Sequence, residues 1–239
     1  MSAAQGVSGT RRRQLLDRRV DDLGCQRGDD ALSRRMALGF QPYTSLPGAR
    51  FQPLARELGL TRYNLLAVSD DSVNYEDLFG SREVDFVVHD GTLTLSGPTC
   101  VQNEDPMVCV VEGDLIVDGP LVIRDLDLYV PLWIKGSLIA RALLLSYDAQ
   151  VFIEGDLRLT GNLVTYGTDA THLVVHGEAQ VGAWLRPSHR GAIYLPASMP
   201  DPIEGDALAA RLAPTLDPRE NLAKALCEHV MTGQPLLRD

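Results

Sequence analysis

The sequence predicts a mainly β fold: a single-stranded parallel β-solenoid, expected to wind as a right-handed β-helix, with α-helical flanks at both ends. Three observations lead there. One glycine recurs at Gly91, Gly113, Gly136, Gly155 and Gly177, every 19 to 23 residues, a period that belongs to stacked repeats rather than to an ordinary sheet. Around each glycine the apolar residues take every second position. After each, a second short apolar run and a turn bring the chain round for the next coil.

Four segments follow from this. Residues 1–48 show no sustained periodicity beyond a short helical possibility over 11–23, and are expected to be poorly ordered or partly helical. Residues 49–83 are expected to form a small helical flank or cap. Within them, Leu54 to Leu65 has the spacing of a helix-turn-helix, but Asp70 and Asp71 follow almost at once and few basic residues come after. A flanking helix is therefore preferred to a DNA reader.

Residues 84–197 are the solenoid of about five coils. Segments beginning Val87, Cys109, Leu132, Val151 and Leu173 superpose on the glycine, and each runs on to a sixth position: Gly97, Gly119, Ala142, Gly161 and Ala183. Val111, Leu115 and Val117, then Ile134, Leu138 and Ala140, then Ile153, Leu157 and Leu159, then Val175, Ala179 and Val181 hold the inward parity of strands buried on one face. The glycine shares that parity, where it is expected to let the strand bend or bulge at a corner. Antiparallel sandwiches and barrels also have many short strands, but neither repeats one inward and outward pattern residue for residue.

Residues 198–239 are expected to form a C-terminal helical cap. After the breakers Pro196 to Pro202, Glu204 to Leu212 is helix-like. Asp217-Pro218-Arg219-Glu220 is a capping box opening a helix with Leu222, Ala225, Leu226 and Val230 on one face, which ends before Gly233. Its apolar stripe should dock on the last coil or on a partner, covering strand edges that would otherwise invite association.

The net charge is −10 and unevenly spread: residues 1–60 carry ten arginines against six acidic groups, whereas 81–239 are acidic by about eleven. The repeats should repel nucleic acid and anionic membrane and favour a basic protein surface. No apolar run approaches the ~18 residues of a membrane span, and none follows Arg11, Arg12 and Arg13 as a signal peptide would require. Cys25, Cys100, Cys109 and Cys227 are scattered without a C-x-x-C pair, which suits a cytoplasmic address and disfavours zinc. On a strand His172 and His176 lie ~13 Å apart, too far to share an ion. No metal or cofactor is expected, and no phosphate loop, nucleophile elbow or H-E-x-x-H is present.

Stacking sets outward residues in ladders. Asp90, Glu112, Lys135, Glu154 and His176 form one, with Lys135 between two acids, a register device. Thr92, Asp114, Ser137, Asp156 and Glu178 form a second. Asp114 and Asp156, two coils and so ~10 Å apart, match the separation of an inverting glycosidase pair, although carboxylates on such a face are ordinarily just solvated. Val110, Trp133, Phe152 and Val174 form a third ladder, an apolar patch that the flanks must cover or a partner must bind. These four, with Asp114, Asp156 and Glu178, are the partner-binding candidates; no catalytic residue is assigned.

The units Val111 to Gly119 and Ile153 to Gly161, with their Gly-Asp-Leu centre, resemble the repeats of the bacterial polymer-forming β-helix proteins, the bactofilins, and of solenoid immunity-type proteins that partner bacterial toxins. The resemblance covers residues 84–197 and implies a coil rather than an activity. Bactofilins are mostly bare solenoids that polymerise through their ends, whereas this chain has uneven coils and substantial flanks. Three functions are expected in order: a non-catalytic scaffold binding a protein partner, of immunity or regulatory type; a structural polymer; and a carbohydrate-active β-helix enzyme.

Overall fold

The computed structural model describes residues 41–47, 83–102, 107–125, 131–168, 171–216 and 222–238. The helices expected over 11–23 and 49–83, the segment at 54–65 and the capping box at 217–220 lie outside them. A strand β1 (Gln41–Pro47) precedes the coil. The first rung is β2 (Glu83–His89), β3 (Leu93–Ser96) and β4 (Thr99–Gln102), and the second β5 (Met107–Val111), β6 (Leu115–Asp118) and β7 (Pro120–Asp125). The third is β8 (Pro131–Ile134), β9 (Leu138–Ala140) and β10 (Ala142–Tyr147), and the fourth β11 (Gln150–Ile153), β12 (Leu157–Leu159) and β13 (Asn162–Gly167). The fifth is β14 (His172–Val175), β15 (Ala179–Gln180) and β16 (Ala183–His189), after which β17 (Ala192–Tyr194) begins another.

The strands line up as three sheets, so the protein is a parallel β-solenoid with about four coil-to-coil steps. Sheet A runs β1-β2-β5-β8-β11-β14-β17, sheet B β3-β6-β9-β12-β15 and sheet C β4-β7-β10-β13-β16. Every pairing between rungs is parallel, and like stacks on like: Leu93, Leu115, Leu138, Leu157 and Ala179 form one column down the lumen. Val111, Ile134, Ile153 and Val175 from sheet A and Leu121, Leu143 and Leu163 from sheet C join the same buried core. No single rung could bury these side chains, which is why the repeats stabilise only as a stack.

The glycine column sits at the corner between sheets A and B, and its reason differs from the expected bend. Of its five members only Gly91 has a positive φ, +78°. What the others share is proximity. Gly113, Gly136, Gly155 and Gly177 each donate an N–H to the carbonyl of the glycine one rung below, at 2.9 to 3.0 Å. A Cβ on Gly155 would lie 2.7 Å from the carbonyl carbon and oxygen of Gly136, closer than atoms can sit. Glycine is needed because backbone stacks directly on backbone.

The next corner corrects the repeat alignment. Gly119, Arg141, Gly161 and Gly182 form its column, linked by N–H···O bonds of 2.7 to 2.8 Å. The third and fifth coils thus turn one residue earlier than the sixth-position match to Ala142 and Ala183 implies, and those alanines begin β10 and β16, opposite Pro120 and Asn162.

The flanks differ from expectation in three ways. Residues 41–47, inside the segment expected to be poorly ordered or helical, form β1, which pairs antiparallel with β2 and covers the first edge of sheet A. The helices α1 (Gly205–Arg211) and α2 (Leu222–Thr232) form where the pattern placed them, and α2 ends in a left-handed Gly233 whose successor Gln234 donates to the His229 carbonyl at 2.9 Å. They do not, however, close the last coil. Instead α2 lies against β7 and β10 and α1 against β16, on the outside of sheet C. There Leu208, Leu226, Cys227 and Val230 bury the outward column Val122, Leu144, Val164 and Leu185. The end of the stack is closed by the loop between: Leu195 and Met199 pack on the lumen, and Ile203 pairs with β16 through the Trp184 carbonyl at 2.8 Å and the Arg186 N–H at 3.0 Å.

Candidate functional site

Two of the three outer faces are closed to solvent. On sheet A, register places Val110, Trp133, Phe152 and Val174 in one outward column, as expected from the repeat. All four are buried, Trp133 and Phe152 completely at 0% exposure, with ring centroids 5.5 Å apart and planes tilted by 36°. A patch that either flank or partner had to cover is covered within the single chain. Sheet C is closed by α1 and α2. Sheet B is different: its outward column Thr94, Ile116, Ile139, Arg158 and Gln180 is exposed at Thr94, Arg158 and Gln180 and half-buried at the two isoleucines.

Beside sheet B, the corner that follows sheet A carries most of the charged candidates. Each Gly-Asp-Leu unit acts there as a stitch: the glycine lets rungs touch, the leucine turns back into the lumen, and the side chain between them takes up an N–H that the backbone ladder skips. Ser137 donates its N–H to Asp114 Oδ1 at 2.7 Å, Asp156 its N–H to Ser137 Oγ at 3.1 Å, and Glu178 its N–H to Asp156 Oδ1 at 2.9 Å. Asp114 and Asp156 are therefore tied into the scaffold through one oxygen each.

The charges around them follow from the same stacking. Lys135 donates to both Glu112 oxygens, at 2.9 and 2.7 Å, so it closes on the rung below. Arg158 reaches Asp156 Oδ2 at 2.6 Å. The Glu178 N–H, and then Arg158, hold the Asp156 carboxyl below the usual carboxylate range, so it is an anion with its oxygens occupied and a poor general acid. Glu178 is exposed and accepts from Ser198 at 3.1 Å.

Further polar groups went unflagged in the sequence. Arg124 and Ser146 are buried on the outside of sheet C, each directly after an apolar run, Pro120 to Ile123 and Ala142 to Leu145, a signal that was legible. His189, at the end of β16, is held well below the ordinary imidazole value, at about 4, chiefly by burial and then by the nearby Arg186 and His172, against the opposing influence of the Gly191 backbone. Among the described residues no group of three or more His, Cys, Asp or Glu side chains is placed to hold a metal ion, and no helix is long and apolar enough to cross a membrane. No family model, curated protein or solved structure matches the chain.

Proposed function

We propose that the protein is a non-catalytic scaffold that binds a protein partner with a basic surface, as an immunity-type or regulatory protein would. The observation that carries this reading is the asymmetry of the faces. Sheets A and C have buried outward apolar columns, whereas sheet B and its corner present Asp114, Asp118, Glu154 and Glu178, beside the ion-paired Glu112 and Asp156, on a regularly stacked frame. A regular array of anions at rung spacing is suited to a cationic surface, speeding encounter and fixing orientation. The candidates Trp133, Phe152, Val110 and Val174 drop out of the contact surface, and Asp114, Asp156 and Glu178 remain. The closed lumen end, with Leu195 and Met199 in its mouth, argues against growth by end-to-end stacking.

The test is affinity capture with the immobilised chain and with the double variant Glu154→Lys and Glu178→Lys, which leaves the Asp114 and Asp156 stitches in place. A partner held by the parent, released by moderate salt and lost by the variant supports the reading. Equal retention by the variant overturns it.

A further inference from the structure

On the outside of sheet C, one rung apart and in register, stand Arg124 of β7 and Ser146 of β10. They are 2% and 3% exposed. They share the outward parity of Val122 and Leu144, which α2 buries, and lie two residues further along the same strands. Arginine does not lose its charge in proteins, and an ion held out of water without a counter-charge is strongly unfavourable. Yet neither Arg124 Nη1 nor Nη2 has a hydrogen-bond partner, and the Ser146 hydroxyl has none either. Among the described residues no carboxylate forms an ion pair with Arg124.

Arg124 Cζ lies over the Tyr147 ring, 5.5 Å from its centroid. The ring attracts the cation but gives Nη1 and Nη2 no hydrogen-bond acceptor. Tyr147 stands at the turn into the next rung with φ +59°, the one described non-glycine residue in the left-handed region. The two Nη groups of Arg124 and the hydroxyl of Ser146 on the next strand, about 4.8 Å away along the sheet at the backbone, are donors without partners. A tetrahedral oxyanion brings charge and oxygens in several directions to such a set, where chloride brings a single atom.

We propose that Arg124 and Ser146, beside the ring of Tyr147, form a site for a small tetrahedral oxyanion of the phosphate or sulfate type, bound bidentately by the guanidinium with a third oxygen on Ser146, on the outer face of sheet C next to the column that α2 covers. The site is independent of the acidic face proposed to bind protein, and lies on a different sheet.

The experiment is thermal unfolding of the full chain in 10 mM phosphate, sulfate, acetate or chloride at matched ionic strength. Sulfate and phosphate stabilise most proteins slightly by exclusion from the surface, so the quantity read is the difference between the parent and Arg124→Met. Binding near a hundred times the Kd should raise the parent midpoint by roughly 5 °C in phosphate and sulfate, with no such rise in Arg124→Met. Arg124→Lys, which keeps the charge and loses the fork, should show a reduced rise, and so should Ser146→Ala, which serves if Arg124→Met does not fold. Equal shifts in parent and variants, or a rise in acetate or chloride as large as in phosphate, overturn the proposal.

Discussion

Replacing Gly155 by alanine tests why the repeat carries glycine. Gly155 has an ordinary negative φ, so alanine is conformationally allowed and by itself would stabilise by about 0.4 to 1 kcal/mol through the unfolded chain. Against this, the new Cβ would lie 2.7 Å from the carbonyl carbon and oxygen of Gly136 and from Ser137 Oγ. The first two are backbone and cannot rotate away, so the rungs must separate. Overpacking of this kind costs about 1 to 3 kcal/mol, and the 2.9 Å bond from the Gly155 N–H to the Gly136 carbonyl is weakened, at about 1 kcal/mol. The net expectation is destabilisation of about 2 kcal/mol, read as a fall in the urea midpoint. Gly91→Ala is the control: its Cβ meets nothing within 4 Å, but its φ is +78°, so it should lose about 1 kcal/mol from backbone strain alone. If Gly155→Ala is neutral, or milder than Gly91→Ala, close stacking is not the reason for the column.

Three other outcomes are expected. Trp133→Ala should lower stability by about 3 to 5 kcal/mol, because the ring is fully buried against Phe152; a change under about 1 kcal/mol in urea unfolding would show that the ladder is not a core. His189 has a folded pKa near 4 against an ordinary 6.5, so the unfolded chain binds the proton first and stability falls as pH drops from 6.5 towards 4, then levels off. His189→Gln should flatten that limb of the midpoint-against-pH curve, and an unchanged slope counts against the burial of the ring as its cause. Asp156, depressed below 3.8 by the Glu178 N–H and Arg158, contributes stability that is complete above that value and lost as pH falls through the lower folded pKa. Asp156→Asn should therefore reduce acid sensitivity below pH 4, and a curve superimposable on the parent's refutes the stitch.

The coil was legible because each lumen column repeats one residue type at one spacing: Leu93, Leu115, Leu138 and Leu157 announce their stacking before any coordinates do. Corner lengths were not, since Ala142 and Ala183 fit the sixth position as well as Arg141 and Gly182, and only hydrogen bonding separates the choices. The helices could be placed by period and caps, but their docking face could not, because an apolar stripe such as Leu226 and Val230 does not say which column it meets. The strand β1 was missed for a plain reason. Gln41-Pro-Tyr-Thr-Ser-Leu-Pro47 has two prolines and no alternation, and only its position as the outermost strand makes it tolerable in a sheet.

The covered faces did leave a trace that the outward ladders alone obscured. A strand buried on one side alternates, whereas a strand buried on both reads as a continuous apolar run. Sheet B alternates in burial along its strands, and in residue type at Leu93-Thr-Leu-Ser96 and Leu157-Arg-Leu159, while Leu115-Ile-Val-Asp118 and Leu138-Ile-Ala140 put a half-buried isoleucine outward. Sheets A and C do not, as Gln150-Val-Phe-Ile153, His172-Leu-Val-Val175 and Ala142-Leu-Leu-Leu-Ser-Tyr147 show. That difference accords with outward columns that are buried on sheets A and C and open on sheet B. Arg124 is conspicuous too, a buried charge at the end of the run Pro120-Leu-Val-Ile, beyond the apolar column of Val122, Leu144, Val164 and Leu185. A residue that breaks the pattern of its own sheet, with no described carboxylate to meet it, is explained by a ligand that brings the charge with it.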